Sequence, residues 1–329
     1  MHADFMDSEP AGLIWRRTML AHGYTDGELH RSRTCGALVP VRRGAYLRKD
    51  DFTQLDTLGQ HRVLAQATAL ASLSDTAVSH ASALALHGIE LWNVPLALVH
   101  LTVNRNRGGK KSRRRHLHAA PFDPDEVTVI DGITVTTVAR SIVDFARTVP
   151  FEQAVVSGDH ALRLGFTDRR ELAEAVARAH HRTGARRAER AVSFMDGLSE
   201  SVGESRSRVL LHRSGMPRPE LQRIVHSLDG RPIGRVDFLW RERGVVGEFD
   251  GMGKYAMNST LTESEAVRNE KRREDELRAT GAAVARWTWK HLDDPTSVVA
   301  RIRRAFEIAG RSAPTLSVSH PPEPLRRAQ

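Results

Sequence analysis

At 329 residues the chain is longer than one domain usually runs, and 40% apolar with 27% charged residues is the balance of a folded protein, so two or three hydrophobic cores are expected and wholesale disorder is excluded. The formal net charge of +9 favours a polyanionic partner, nucleic acid above all, because lysine and arginine release condensed counterions on binding phosphates; an arginine-rich background composition is the alternative, and it predicts scattered basic residues. Cys35 is the single cysteine, which excludes an internal disulfide framework and a cysteine-rich zinc site, and no stretch is apolar enough to span a bilayer, so a cytoplasmic location without membrane contact is expected.

In chain order, Leu13, Ile14, Met19 and Leu20 have helical spacing, and Gly23 ends that segment. Thr25 with Glu28 three residues on is a capping box for a helix over 25–35, which exposes Arg31 and Arg33. Residues 37–48 then alternate and place Arg42, Arg43 and Gly44 at the tip of a hairpin. A helix followed by a basic hairpin suits duplex DNA, the helix entering the major groove and the tip meeting phosphates or the minor groove. A small helical domain with an exposed hairpin and no ligand is the plainer alternative. The segment Arg42-Arg-Gly-Ala-Tyr46 resembles the wing of the AbiEi-like antitoxin family. That resemblance implies a winged-helix DNA-binding domain over residues 1–55.

Residues 56–180 form the expected α+β middle domain. An alanine-rich helix runs from about His61 to Leu73, and a second holds Ser79 to His87 before Gly88. His80 and His87 are seven apart on one helical face, a spacing open to a shared ligand but more often met in solvated or partly buried histidines. Strands are expected at 97–103 and 126–137. Between them, Asn104 to His116 contains Lys110, Lys111, Arg113, Arg114 and Arg115, a charge density suited to tracking a phosphate backbone, with a merely solvated loop as the alternative. Ser79-His-Ala-Ser-Ala, His100-Leu-Thr-Val and the stretch from Asp131 to Asp144 also resemble the region after the wing in AbiEi-like antitoxins. A cognate toxin is the partner this implies.

Residues 181–200 read as a helical connector. The last domain, 201–310, has the pattern helix 201–213, strands 221–227, 233–240 and 245–250, helix 262–279, strand 282–289 and helix 295–308. The order αβββαβ plus a final helix is that of a restriction-endonuclease-like PD-(D/E)XK core. Proline and serine density beyond it predicts a disordered tail over 311–329.

A hairpin centred on Glu242 and Arg243 pairs Trp240 with Val245 and Phe238 with Gly247, which sets Asp237 opposite Glu248. Alternation then gives an apolar face of Val236, Phe238, Trp240, Val245 and Phe249, and an opposite face bearing Asp237, Glu248 and Asp250. Directly opposed like charges destabilise a sheet, so something positive belongs between them. Mg2+ or Mn2+ on Asp237 and Glu248 meets that need and would activate water for phosphodiester hydrolysis; an arginine is the rival, with Arg235 in register to pair Asp250. The lysine this chemistry uses is absent two residues after Glu248, where Asp250 stands, which leaves Lys254 or Lys271 as alternatives. Glu204 is either a third carboxylate or a structural residue, through a capping box with Ser201 and an ion pair with Arg208.

As a set, Glu204-Ser-Arg, Pro219-Glu-Leu-Gln222, Arg235-Val-Asp-Phe-Leu-Trp240, Glu248-Phe-Asp-Gly251 and Arg286-Trp-Thr-Trp289 resemble the uncharacterised family related to very-short-patch-repair endonucleases, over about the last 110 residues. The resemblance implies a metal-dependent endonuclease domain behind a DNA-binding one, with Asp237, Glu248, Asp250, Lys254 and Glu204 as the catalytic set. The alternative is an AbiEi-like regulator or antitoxin whose nuclease-like module does not cut.

Overall fold

In a computed structural model of the chain, residues 12–72, 75–251, 263–310 and 316–321 are described; they form a multidomain α/β architecture of two compact units, Met1–Ser157 with Phe166–Phe194, and Gly158–Gly165 with Met195–Gln329.

The first unit opens with β1 (Ile14–Trp15), α1 (Arg16–Ala21), α2 (Asp26–Thr34), β2 (Leu38–Arg42), β3 (Ala45–Arg48) and α3 (Lys49–Gln54). The capping box at α2 forms as its spacing predicts, Thr25 N donating to Glu28 Oε2 at 2.7 Å and Glu28 N to Thr25 Oγ1 at 3.3 Å. The three strands make one antiparallel sheet ordered β1-β3-β2, and the turn between β2 and β3 needs Gly44 in the left-handed region, φ +78°. Next comes α4 (Thr57–Leu70), which is shared by two cores. Val63 and Ala67 pack against Trp15, Val41, Ala45 and Leu47 of the small sheet, whereas Ala65, about half a turn round, joins Val78, Val99, Leu101, Ile133 and Val135. Methyl side chains at 65 and 67, both fully buried, let sheets close in on both faces.

The second of those cores belongs to a six-stranded sheet. It is built from β4 (Thr76–Val78), then after α5 (His80–Leu86) β5 (Val99–Val103), β6 (Lys110–Lys111), β7 (Arg115–Ala119), β8 (Val127–Ile130) and β9 (Ile133–Thr136), in the order β6-β7-β5-β4-β9-β8. The basic stretch is therefore partly strand, and the span 126–137 is a hairpin closed by Asp131 and Gly132 at positive φ. Helices α6 (Val138–Ala146), α7 (Phe151–Arg163), α8 (Arg169–Arg178) and α9 (Ala185–Phe194) follow. On α6, Arg140 is 1% exposed and bridges Glu126 (2.7 Å) and Asp144 (2.6 Å), while Asp144 also takes Arg147 (2.9 Å) and Arg182 (3.6 Å).

The second unit contains α10 (Val202–Arg213), β10 (Glu220–His226), β11 (Pro232–Trp240), β12 (Val245–Asp250), α11 (Glu263–Ala279), β13 (Ala283–Thr288), α12 (Trp289–Leu292), α13 (Pro295–Ala309) and β14 (Val318–Ser319). Its sheet runs β13-β12-β11-β10-β14, antiparallel except for β12 with β13. One core joins Leu210 and Leu211 of α10 and Val298, Ile302 and Ala305 of α13 to Phe238, Trp240, Val245, Phe249 and Trp287. The other joins Leu277 of α11 to Val225, Val236, Leu239 and Val246, so Val236 leaves the face expected for it. The tail also departs from expectation at residues 316–321: Leu316 is 2% exposed within that second core, and Val318–Ser319 adds a strand to β10, because an apolar anchor outweighs the local proline and serine content. The remainder of the 311–329 segment lies outside the described residues.

The packing of this unit can be probed at two positions. A Cβ on Gly203 would stand 1.9 Å from the Phe249 ring, so Gly203→Ala is expected to cost about 1–3 kcal/mol in a urea melt. Asp159, 1% exposed, is bonded to Arg208 (2.6 Å), Ser205 (2.7 Å) and the Asp196 amide (2.7 Å), and burial still pushes its carboxyl up to about 6. A carboxyl that binds its proton more tightly folded than unfolded contributes stability at low pH that is lost as pH rises through its folded value. Between pH 4 and 6, Asp159→Asn should therefore show a less steep fall in unfolding free energy than the parent, read by denaturant melts at each pH.

Candidate functional site

The carboxylates of the second unit are brought together by the β11–β12 ribbon. Its register is Trp240 with Val245, Leu239 with Val246 and Phe238 with Gly247, as the alternation predicts. One step beyond, the Asp237 side chain enters the gap between the strands and its Oδ2 accepts the Phe249 amide at 2.9 Å. Gln222 on β10, held at φ +52°, donates to Asp237 Oδ1 at 3.4 Å and to Glu204 Oε2 at 2.9 Å. Glu204 closes the capping box with Ser201 and also accepts the Glu200 amide at 2.9 Å. The capping box expected of Glu204 is therefore present, whereas the ion pair expected with Arg208 is replaced by the pairing of Arg208 with Asp159 at 2.6 Å. Burial first, and the Asp237 charge second, push its carboxyl up to about 7.

Glu248, 4% exposed, is held by two guanidiniums: Arg273 of α11 bonds Oε1, and Arg286, its register partner on β13, bonds Oε2 at 2.9 Å. The positive charge beside Glu248 is arginine in this structure. Arg235 reaches Glu200 at 2.6 Å and Arg208 reaches Asp159, pairings that the local spacing did not indicate. Asp250 is half-buried at the end of β12 opposite Thr288. Lys271 is exposed on α11, and Lys254 lies outside the described residues.

In the first unit, two basic segments about seventy residues apart meet. Arg114 Nη1 donates to Val41 O at 3.3 Å, and the Arg115 charge acts on Arg42. Arg42 is itself half-buried, donating to Ala67 O (2.8 Å) and Thr68 O (3.3 Å) at the carboxyl end of α4. It therefore ties the hairpin to the helix in addition to any contact with a phosphate. Arg31, Arg33, Arg43, Lys110, Lys111, Arg113 and Arg114 are exposed, with Arg33 lying 5.8 Å over the Tyr46 ring, and Arg115 is half-buried.

A third group was missed from the sequence. His87 Nε2 is engaged by Thr136 O at 2.8 Å, and His80 gathers not with His87 but with His100 and His118. Parallel pairing of β5 with β7 sets His100 beside His116 and Thr102 beside His118, so these four share one face while Leu101 and Leu117 turn to the core. The alternation His116-Leu-His118 carried the signal. The parallel neighbour was not visible without the fold. Among the described residues, His80, His100 and His118 are the group of three possible ligands whose donor atoms lie within 4.8 Å of one another.

No protein-family model matches the chain. It is 33% identical over 127 residues to two proteins of Mycobacterium tuberculosis, "Uncharacterized protein MT2308" of strain CDC 1551 and "Uncharacterized protein Rv2248" of strain H37Rv, over 39% of this chain. The match spans about half (46%) of each relative's length. The crystal structure of the RV2827C protein from Mycobacterium tuberculosis aligns with a TM-score of 0.37 at 13% identity, over 64% of this chain and 78% of that one.

The two hairpin arginines separate in function by their bonds. Arg42→Ala removes two charged hydrogen bonds to helix carbonyls and is expected to lower stability by about 2 kcal/mol, whereas exposed Arg43→Ala should stay within about 0.5 kcal/mol; thermal melts of the two variants compare them.

Proposed function

We propose that this chain is a DNA-binding protein with a winged helix at its amino end and a PD-(D/E)XK-like domain at its carboxyl end, acting as an AbiEi-like regulator or antitoxin whose nuclease-like module recognises DNA without cutting it. The observation that carries the DNA-binding part is the joining of the β2–β3 hairpin, with Arg43 at its tip, to the segment bearing Lys110, Lys111, Arg113 and Arg114, through the Arg114 to Val41 bond. Clustering of this kind is what a phosphate-tracking surface requires and what background composition does not produce. On this reading α2 presents Arg31 and Arg33 to the duplex while the hairpin and the basic segment follow its backbone.

Two features support recognition without cleavage. Both oxygens of Glu248 are taken by Arg273 and Arg286, so a hard cation would have to displace a guanidinium, and the position where nuclease chemistry uses a lysine holds Asp250. A second reading, Mg2+- or Mn2+-dependent endonuclease action, is favoured by one observation: Glu204 and Asp237 are close enough to raise the carboxyl of Glu204, a like-charge pairing that a divalent ion on Asp237 and Glu248 would relieve. Toxin binding is the further partner that the AbiEi-like resemblance suggests.

The two readings separate in one pair of assays. Replacing Arg43, Lys110, Lys111 and Arg113 by alanine should weaken duplex binding and lower the slope of log affinity against log salt by roughly 0.9 for each phosphate that the variant no longer neutralises; an unchanged slope removes the DNA-binding proposal. Purified protein incubated with supercoiled plasmid and Mg2+ or Mn2+ should leave it intact. Nicking by the parent that disappears in Asp237→Ala would establish the endonuclease instead.

A further inference from the structure

His80 begins α5 in a left-handed backbone conformation, φ +53°, which an ordinary side chain adopts only where its surroundings enforce it. Its ring is 1% exposed and is fixed from one side, Nδ1 lying 3.0 Å from Ser79 Oγ, which in turn accepts from Thr102 Oγ1 at 2.8 Å. The other nitrogen, Nε2, is buried without a hydrogen-bond partner, a costly state for a polar atom. It belongs to the three-histidine group described above. His118 stacks on His80 with centroids 3.9 Å apart, and His118 Nε2 lies 3.0 Å from His100 Nδ1. Two nitrogens bound to one tetrahedral zinc at about 2.05 Å are about 3.3 Å apart, so the spacing is already near that of a ligand pair.

We propose that His80, His100 and His118 bind a transition-metal ion of the zinc class, with a fourth coordination position open to a basic cavity. The donor set selects the metal: three imidazole nitrogens and no carboxylate suit Zn2+, Co2+ or Ni2+ and disfavour Mg2+, which takes oxygen. Ser79, bonded to the far nitrogen of His80, supplies the outer contact that orients a ligating imidazole. The cavity beside the three rings, about 590 Å³, is lined by Lys110, Lys111, Arg147 and Arg182 and has room for water or an anionic oxygen at the fourth position. Asp144 also lines it, but its two oxygens are bonded to Arg140 and Arg147, so it serves the arginines. A self-satisfied histidine cluster is the competing account, and it leaves the buried Nε2 of His80 unexplained.

The test uses the full chain, stripped with a chelator and titrated with Co2+. One equivalent should bind with the visible absorption of a four- or five-coordinate cobalt ion, and Zn2+ should displace it. His100→Ala and His118→Ala should each weaken binding by about 100-fold or more, whereas His116→Ala keeps it. Should the alanine variants fail to fold, His118→Cys retains a ligand and is expected to add a near-ultraviolet thiolate-to-cobalt charge-transfer band that the parent lacks. Absence of stoichiometric metal in the folded parent, equal affinity in folded alanine variants, or no such band in folded His118→Cys overturns the proposal.

Discussion

A carboxylate taken out of water has to be neutralised where it lies, and that constraint organises both units of this protein. In the first, Asp144 receives three arginines, Arg140 and Arg147 from α6 and its C-cap and Arg182 from the connection between α8 and α9, which is thereby tied to α6. In the second, Asp159 takes Arg208 and Glu248 takes Arg273 and Arg286. Glu204 is held by an amide, a hydroxyl and Gln222, which offset only part of the burial that raises its carboxyl. Breaking a buried pair strands its partner, so these networks resist piecemeal change even where the pair contributes little net stability.

The same constraint shapes the functional reading. A ribbon that opposes Asp237 to Glu248 needs compensation, and four donors supply it: the Phe249 amide and Gln222 for Asp237, and two guanidiniums for Glu248. Chemistry at this centre would begin with the movement of an arginine. The histidine group, in the metal site proposed above, works on the opposite logic. There the donors are crowded imidazoles with no opposing charge among them, and His80 Nε2 is buried without a hydrogen-bond partner.

Local pattern carried much of the architecture. The Thr25–Glu28 box, the β11–β12 register and the helices over 202–213 and 295–309 depend on neighbours a few residues away, and their spacing was enough. What lay hidden depends on distant partners. The parallel pairing of β5 with β7, which assembles the histidines, joins strands with no shared turn; Arg208 finds Asp159 some fifty residues upstream, where an i,i+4 rule pointed to Glu204. The strand at 318–319 was obscured by a composition typical of linkers, since one buried leucine is invisible to an average over the segment.

The doubly covered α4 has a practical consequence for dissecting the molecule. Because Val63 and Ala67 are roofed by the first sheet and Arg42 closes the helix's last carbonyls, the opening fifty-odd residues are not a detachable module. A truncation ending there would strip one side of a helix on which the six-stranded sheet also rests. Loss of any property in such a fragment would report a damaged scaffold, so single-residue exchanges at the surface are the sharper scalpel.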